Sequence, residues 1–328
     1  MISASCRALL MACLSWAFAV TACSQASAQP FPNRTIHVFV PTGPGTPPDI
    51  ISRVVATSLS ESEGWLVVVE NKPGAVQTIA GSEVLKQTAD GYSIYALSLP
   101  VSAAPALLPN MPFQPDKNFD PVIHVSISYN VLVVTPSLPV ASVAELIALL
   151  KKEPNKLTFS SGGFGTPAHL IGEMFKLREQ VQATHVPYVQ MPQAIGDLLS
   201  GTNQFMFVTT LPVVGLINTG KLHALAVTGP KRVPALANVP TMAEQGHPEL
   251  AVEDWVGFAV ASGTPPDVIA KLNAAVNKAL KTSKVREAFA NVGAEPAGGT
   301  PEEFGALVRS QVAHWGKVVK ESGIKIQQ

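Results

Sequence analysis

Short apolar runs alternate along this chain with stretches in which apolar residues recur every three or four positions. Ile36, Val38, Phe39 and Val40 make the first run, closed by Pro41. After the loop Thr42-Gly43-Pro44-Gly45-Thr46-Pro47-Pro48-Asp49, residues Ile50, Ile51, Val54, Val55 and Leu59 keep helical spacing, with Arg53 on the opposite face. Leu66 to Val69 is wholly apolar, which predicts a strand buried on both faces. A loop from Glu70 to Gln77 follows, then a helix to about Lys86 and a strand from Tyr92 to Leu99. Strand–helix–strand order of this kind predicts an α/β fold with a largely parallel sheet.

Residues 100–121 carry Pro100, Pro105, Pro109, Pro112, Pro115 and Pro121, and read as a surface excursion with at most one short helix. The run Val122 to Thr135 is long enough to pass from one domain to another. Helices are expected at Val143–Lys152, from Pro167 to about Arg178, and at Pro192–Leu199. Strands are expected at Ala183–Pro187, Phe205–Val208 and Leu222–Thr228. Glu253 to Ala261 is a second crossing candidate, followed by Thr264-Pro265-Pro266-Asp267, a helix-start signature. A last helix spans about Pro301 to Glu321, and no repeat is evident. One departure and one return, with two crossing strands, predict a two-lobed α/β binding protein. Its first lobe would comprise 29–128 and 253–328, its second 129–252, with ligand held between them.

Composition narrows the classes. Among 328 residues, 47% are hydrophobic and 14% charged, which suits folded cores and argues against disorder. Formal net charge is zero, so neither nucleic acid nor an anionic membrane surface is an expected partner. Cys6, Cys13 and Cys23 all precede residue 24. They lie within Arg7, an apolar run from Ala8 to Val20, and Ala26-Ser27-Ala28, the layout of a secretory signal peptide (1–28) cleaved after Ala28. Val20-Thr21-Ala22-Cys23 offers an alternative, a lipobox that would anchor the protein through Cys23. Cleavage after Ala28 leaves no cysteine, hence no disulfide and no thiolate site.

Candidate chemistry centres on Leu157 to Leu170, where a strand, a hydroxyl- and glycine-rich loop and a helix start follow one another. Thr166 sits as an N-cap before Pro167 at the first helical position, leaving backbone donors for a carboxylate or phosphate. Ser160, Ser161, Thr166 and the amides from Gly165 to Ala168 could donate there, with Thr42, the Gly45-Thr46 amides and Asp49 opposite. Asp49 equally suits a plain helix-start acid. No metal-ligand spacing occurs among the seven histidines. The 43–48 loop lacks a third glycine, and its prolines remove amides that a dinucleotide cradle needs, so no cofactor is expected. Ser161 and His169 invite a secreted hydrolase as the alternative, but no Gly-x-Ser-x-Gly elbow is present.

Many short landmarks in one order resemble a known family, the Bug-type solute receptors of the tripartite tricarboxylate transporters. They include Asp49-Ile50-Ile51-x-Arg53, Val68-Val69-Glu70-Asn71-Lys72-Pro73-Gly74-Ala75 and Asn118-Phe119-Asp120-Pro121-Val122. Others are Ser161 through His169, His185-Val186-Pro187-Tyr188, Gly220-Lys221-Leu222 and Trp255-x-Gly257. The resemblance implies a periplasmic receptor of the type II, Venus-flytrap plan, not an enzyme, that delivers a small carboxylate to membrane permease subunits, and a monomer. By position it implies ligand contact from Thr42, Gly45, Thr46 and Asp49, and from Ser161, Gly165, Thr166 and His169. It also implies that the loop Gly74 to Thr78, with Val76 and Gln77, and Tyr188 and Val208 line the cleft. Where the family pattern has a glycine pair, Val76-Gln77 stands, and Val189-Gln190 replaces Lys-Gly after Tyr188. An acid usual near Val208 is missing. These departures predict a carboxylate with an apolar or aromatic body rather than a citrate-like one.

Overall fold

The structure, a computed structural model, describes residues 31–188 and 190–324. The leader, its Ala28 site and Cys23 lie outside the described residues, as does Val189. From Thr35 onward the chain forms one compact unit. β1 (Ile36–Val40) lies between β2 (Val67–Asn71) and β3 (Ser93–Ser98), parallel to both. α1 (Pro47–Glu63) and α2 (Thr78–Leu85) make the crossovers that parallel strands require. A second parallel set has β5 (Thr158–Ser161) between β6 (Thr184–Pro187) and β7 (Phe205–Thr209), connected through α5 (Pro167–Glu179) and α6 (Met191–Ser200). The helices α3 (Leu99–Leu107) and α4 (Val143–Lys152) flank β4 (Phe119–Val134) in the chain, and α7 (Leu211–Asn218) leads to β8 (His223–Val227).

β4 joins the two sets. Its residues Phe119 to Tyr129 pair antiparallel with β9 (Glu253–Ala261), while Asn130 to Val134 pair with β7 and Val131 to Val134 with β8. The strand therefore changes partners between Tyr129 and Asn130. The sheet runs β2-β1-β3-β9-β4-β7-β5-β6, with β8 and β10 (Ala294–Pro296) also on β4. After β9 come α8 (Pro266–Leu280), α9 (Ser283–Ala290) and α10 (Pro301–Ser322), the last opened by a Thr300/Glu303 capping box.

Side chains alternate across a strand, so β4 feeds two cores. Leu132 and Val134 join a cluster running from Phe39, Tyr95 and Leu97 to Phe159, Phe175, Phe207, Trp255 and Trp315. Val131 and Val133 face Leu198, Met206 and Val213 instead. α10 packs on α3, β4 and α5, so one C-terminal helix covers elements from both parallel sets. Gly172 and Gly257 are among the glycines that permit close approach. A Cβ on Gly172 would stand 2.4 Å from the Phe159 ring, and one on Gly257 would stand 2.0 Å from Phe304 Cζ.

Several expectations need correction. The apolar run at Leu66–Val69 is not buried on both faces, because β2 is the edge strand and Leu66 and Val68 are exposed. The proline-rich 100–121 segment is not only a surface excursion. α3 is buried on nearly every side, with Pro100 in its first turn and Pro105 tolerated inside. Thr264 is not a helix cap, since its hydroxyl donates to Ala261 O and Pro265 holds the cap position. The structure adds α7, α9 and β10, where the sequence pattern predicts no element.

Candidate functional site

The loop after β1 and the loop after β5 are built alike. Gly43-x-Gly45-Thr46-Pro47-x-Asp49 corresponds to Gly163-x-Gly165-Thr166-Pro167-x-His169, a local repeat too short to stand out along the chain. Gly45 and Gly165 take left-handed φ values of 77° and 74°, which glycine alone adopts without a steric cost. Thr46 and Thr166 are extended N-caps (ψ 158° and 159°), each followed by proline. Their hydroxyls turn back to donate to Gly43 O at 2.7 Å and Gly163 O at 2.8 Å. Neither caps its own helix. The fourth residue of each unit then accepts the glycine amide: Gly45 N–H donates to Asp49 Oδ2 at 2.9 Å, and Gly165 N–H to His169 Nδ1 at 3.0 Å.

This corrects the donor list drawn from sequence. The Gly45 and Gly165 amides and the Thr46 and Thr166 hydroxyls hold the loops in shape. Because the cap hydroxyls point away, first-turn amides of each helix keep no intrahelical partner. α5 offers Ala168 and His169 N–H; α1 has prolines at its first two positions and offers only Asp49 N–H. The α5 loop is the richer donor of the pair.

Asp49 is an organiser of its loop. Its buried carboxylate also accepts from Arg53 Nε at 2.9 Å and Asn71 Nδ2 at 2.8 Å, and Asn71 Nδ2 donates to Thr42 O as well. Thr42 Oγ1 lies 2.7 Å from Thr46 Oγ1. Burial pushes the Asp49 carboxyl up, but Arg53, the Gly45 amide and Asn71 together outweigh it and hold the group below its usual range.

In the other loop the matching residue is uncharged. Burial, with nearby His185 and Lys176, pushes His169 down to about 3, and burial with Lys176 pushes His185 down to about 4. The two imidazoles stack at 4.1 Å with Phe164 edge-on to both. Ser161 Oγ lies 2.7 Å from His185 Nε2, a contact that spacing in the sequence could not reveal. It depends on β5 and β6 being parallel neighbours, with Phe159 opposite His185. His185 Nδ1 is buried without a partner among the described residues. A bare acceptor costs less there than a stranded N–H, which assigns the proton to Nε2, donating to Ser161. Ser161 Oγ also accepts from Gly163 N at 3.1 Å, so its own hydrogen is directed to Gly163 O or to a ligand oxygen. A hydrolase needs the opposite polarity, with Nε2 bare and Nδ1–H held by an acid. Ser160 faces the other side of β5, its hydroxyl buried and without a partner among the described residues.

The remaining predicted residues scatter. Ala75, Val76 and Gln77 form a turn with three successive left-handed φ values of 45°, 49° and 74°. That conformation explains why glycines suit these positions, and it is costly for β-branched Val76. Gln77 is buried, bonding Ser98 through both amide atoms and accepting from Tyr95 OH at its carbonyl, so it presents no polar group outward. Tyr188 OH donates to Asp197 at 2.6 Å and accepts from Asn203, while Tyr188 N–H donates to Ser161 O. Val208 is a core side chain among Val131, Leu198 and Met206. Two exposed hydrophobics, Ile79 and Leu211, begin α2 and α7, beyond the carboxyl ends of β2 and β7, which run parallel to the loop-bearing β1 and β5.

An α/β chain with a mixed sheet and paired glycine–threonine–proline loops before helices has the architecture of a solute-binding receptor. Residues 51–324 match the model of the tripartite tricarboxylate transporter family receptor. The chain belongs to that family. BugT of Bordetella pertussis is 35% identical over 92% of this chain and 93% of its own. The solved periplasmic binding protein BugD is 33% identical, with a TM-score of 0.78 over 90% of this chain and all of its own. Rpa4515 of R. palustris, solved with adipate, is 34% identical with a TM-score of 0.79, covering 90% of this chain and 100% of its own. MatC of Rhodopseudomonas palustris, solved with malate, is 29% identical with a TM-score of 0.77, covering 88% and 100%. The fold is therefore the two-lobed α/β fold of periplasmic binding proteins, and the family consists of receptors rather than enzymes.

Proposed function

We propose that this chain captures a small carboxylate with an apolar body in the periplasm and presents it to membrane permease subunits of a tripartite transporter. The observation that carries the reading is the twin loops, whose cap hydroxyls are turned inward so that first-turn amides are left for an anion. The ligand carboxylate takes the Ala168 and His169 amides and the Ser161 hydroxyl on one side, and the Asp49 amide of the other loop. Uncharged His169 and His185 let an anion approach without losing a competing one. The lobes are 29–128 with 253–328, and 129–252. In support, β4 exchanges β9 for β7 and β8 beside residue 129, and β9 starts at Glu253. Residues 1–28 act as the export signal, with lipidation at Cys23 as the competing route.

Ile79, Leu211 and the closed-off Gln77 amide favour an apolar ligand body over a polyanion. Adipate, bound by Rpa4515, has such a body; malate, bound by MatC, is shorter and hydroxylated. Calorimetric titration with adipate, benzoate, malate and citrate separates these. The expected order puts adipate or benzoate first and citrate last. Citrate binding more tightly than both would overturn the apolar reading while leaving the carboxylate clamp intact.

A further inference from the structure

A polar cluster stands well away from the twin loops, at the opposite end of α5. Glu179 is the last residue of that helix, about 20 Å of helix from Thr166 at 1.5 Å per residue. His247 and Glu249 come from the segment that leads into β9. His247 Nδ1 lies 2.8 Å from Glu179 Oε1 and 3.8 Å from Glu249 Oε1. One nitrogen or oxygen from each residue falls within 4.8 Å of the other two. A tetrahedral zinc site with bonds of ~2.1 Å has ligand–ligand edges of about 3.4 Å. The two edges at His247 straddle that value, and Glu249, 44% exposed, has room to swing inward and close the third.

Charge points the same way. Two carboxylates meet one imidazole, so the cluster is net negative in either state of the ring. Glu179 is only 12% exposed and stands at a helix C-terminus, where the carbonyl dipoles oppose an anion. Among the described residues, every ion pair of Glu179 and Glu249 runs to His247. Lys176, one turn back, is held by Glu173.

We propose that Glu179, His247 and Glu249 bind one divalent transition ion of the Zn2+ type, with water as the fourth ligand. An imidazole nitrogen and only two carboxylates suit zinc or cobalt rather than calcium or magnesium. The residues are 68 positions apart at their widest contact, so no ligand spacing betrays them in the sequence. The ion would staple the end of α5 to the 248–250 turn, whose Leu250 is buried in the main core and after which the chain enters β9. It would stabilise the fold without touching the carboxylate loops.

Chelator-treated full-length protein titrated with ZnCl2 tests this by calorimetry, with Co2+ absorption as the geometric readout. One ion per chain is expected, with the intense visible bands of four-coordinate Co2+. His247→Ala and Glu249→Gln should each weaken Zn2+ binding at least tenfold and abolish a zinc-dependent rise in Tm. Glu249 is exposed, so its variant folds even if the other does not. Equal Zn2+ affinity in wild type and both variants would overturn the proposal by sending the ion elsewhere. So would an absence of binding below millimolar Zn2+ with Tm unmoved, which would leave a plain His247–Glu179 ion pair.

Discussion

Replacing Asp49 by asparagine keeps the side-chain shape and removes the charge on which the first loop is hung. The carboxylate accepts three bonds of 2.8–2.9 Å, from the Gly45 amide, Arg53 and Asn71. In Asp49→Asn the amide would keep one acceptor and turn its own NH2 toward at least one of those donors. A hydrogen bond to a charged group contributes about 1.5–3 kcal/mol when buried, and a donor left stranded costs about 1–3. The Arg53 share is discounted, since that side chain is half exposed. The loss is then about 2–3 kcal/mol, a factor of roughly 30–150 in the folded-to-unfolded ratio. Urea unfolding at pH 7, read as a fall in midpoint at constant m, measures it. The pH dependence gives an internal control. Asp49 is held below its usual value of 3.8 in the fold, so its contribution is fully present above that value. It is lost as pH falls through the lower, folded value. The gap between wild type and variant should stay level from pH 8 to 5 and narrow below pH 4. A destabilisation under about 0.5 kcal/mol, or a gap that ignores acid, would refute the assignment of Asp49 as loop organiser.

Other expectations follow from single contacts. Thr166→Ala removes the hydroxyl bond to Gly163 O and should weaken carboxylate binding about tenfold, the scale of ~1.5 kcal/mol, with Thr166→Ser restoring it; unchanged affinity would detach the cap from the site. Gly257→Ala would drive a methyl into Phe304, which packs on Trp255 and His124, and should cost about 1–3 kcal/mol by urea unfolding. A loss near zero there would show that α10 slides freely. His185 and His169 are buried neutral, so their contribution to stability is present above the unfolded value near 6.5 and drains away as pH falls toward 4. Their ring NMR signals should stay flat from pH 8 to 5, and a midpoint near 6.5 for either would contradict the buried stack.

Local pattern carried much of this fold, and it failed where burial has no period. β1, β5, β9 and the helices α1, α4 and α5 are bounded by turn residues and keep clear spacing, so their places follow from composition alone. α3 is apolar on all sides because α10 and the sheet enclose it, and its prolines disguise it further. β2 looks doubly buried, but edge position is a property of the sheet and not of the strand. At the candidate site, the Gly-Thr-Pro punctuation marks two helix starts, which fall at Pro47 and Pro167. What each hydroxyl does was hidden, since Thr46 and Thr166 could cap forward or bond backward with the same sequence. The pairs Asp49–Asn71 and Ser161–His185 join residues 22 and 24 positions apart through neighbouring parallel strands. Strand order decides such contacts, and one sequence does not declare it.

The retained ligand tests the central claim most directly. Protein purified from its host and denatured under mass spectrometry should release one small carboxylic acid with an apolar body per chain. The same acid should be missing from a Ser161→Ala preparation that folds normally. Release of a citrate-like polyacid or an amino acid, or equal retention by Ser161→Ala, would contradict the account of the two loops as a carboxylate clamp.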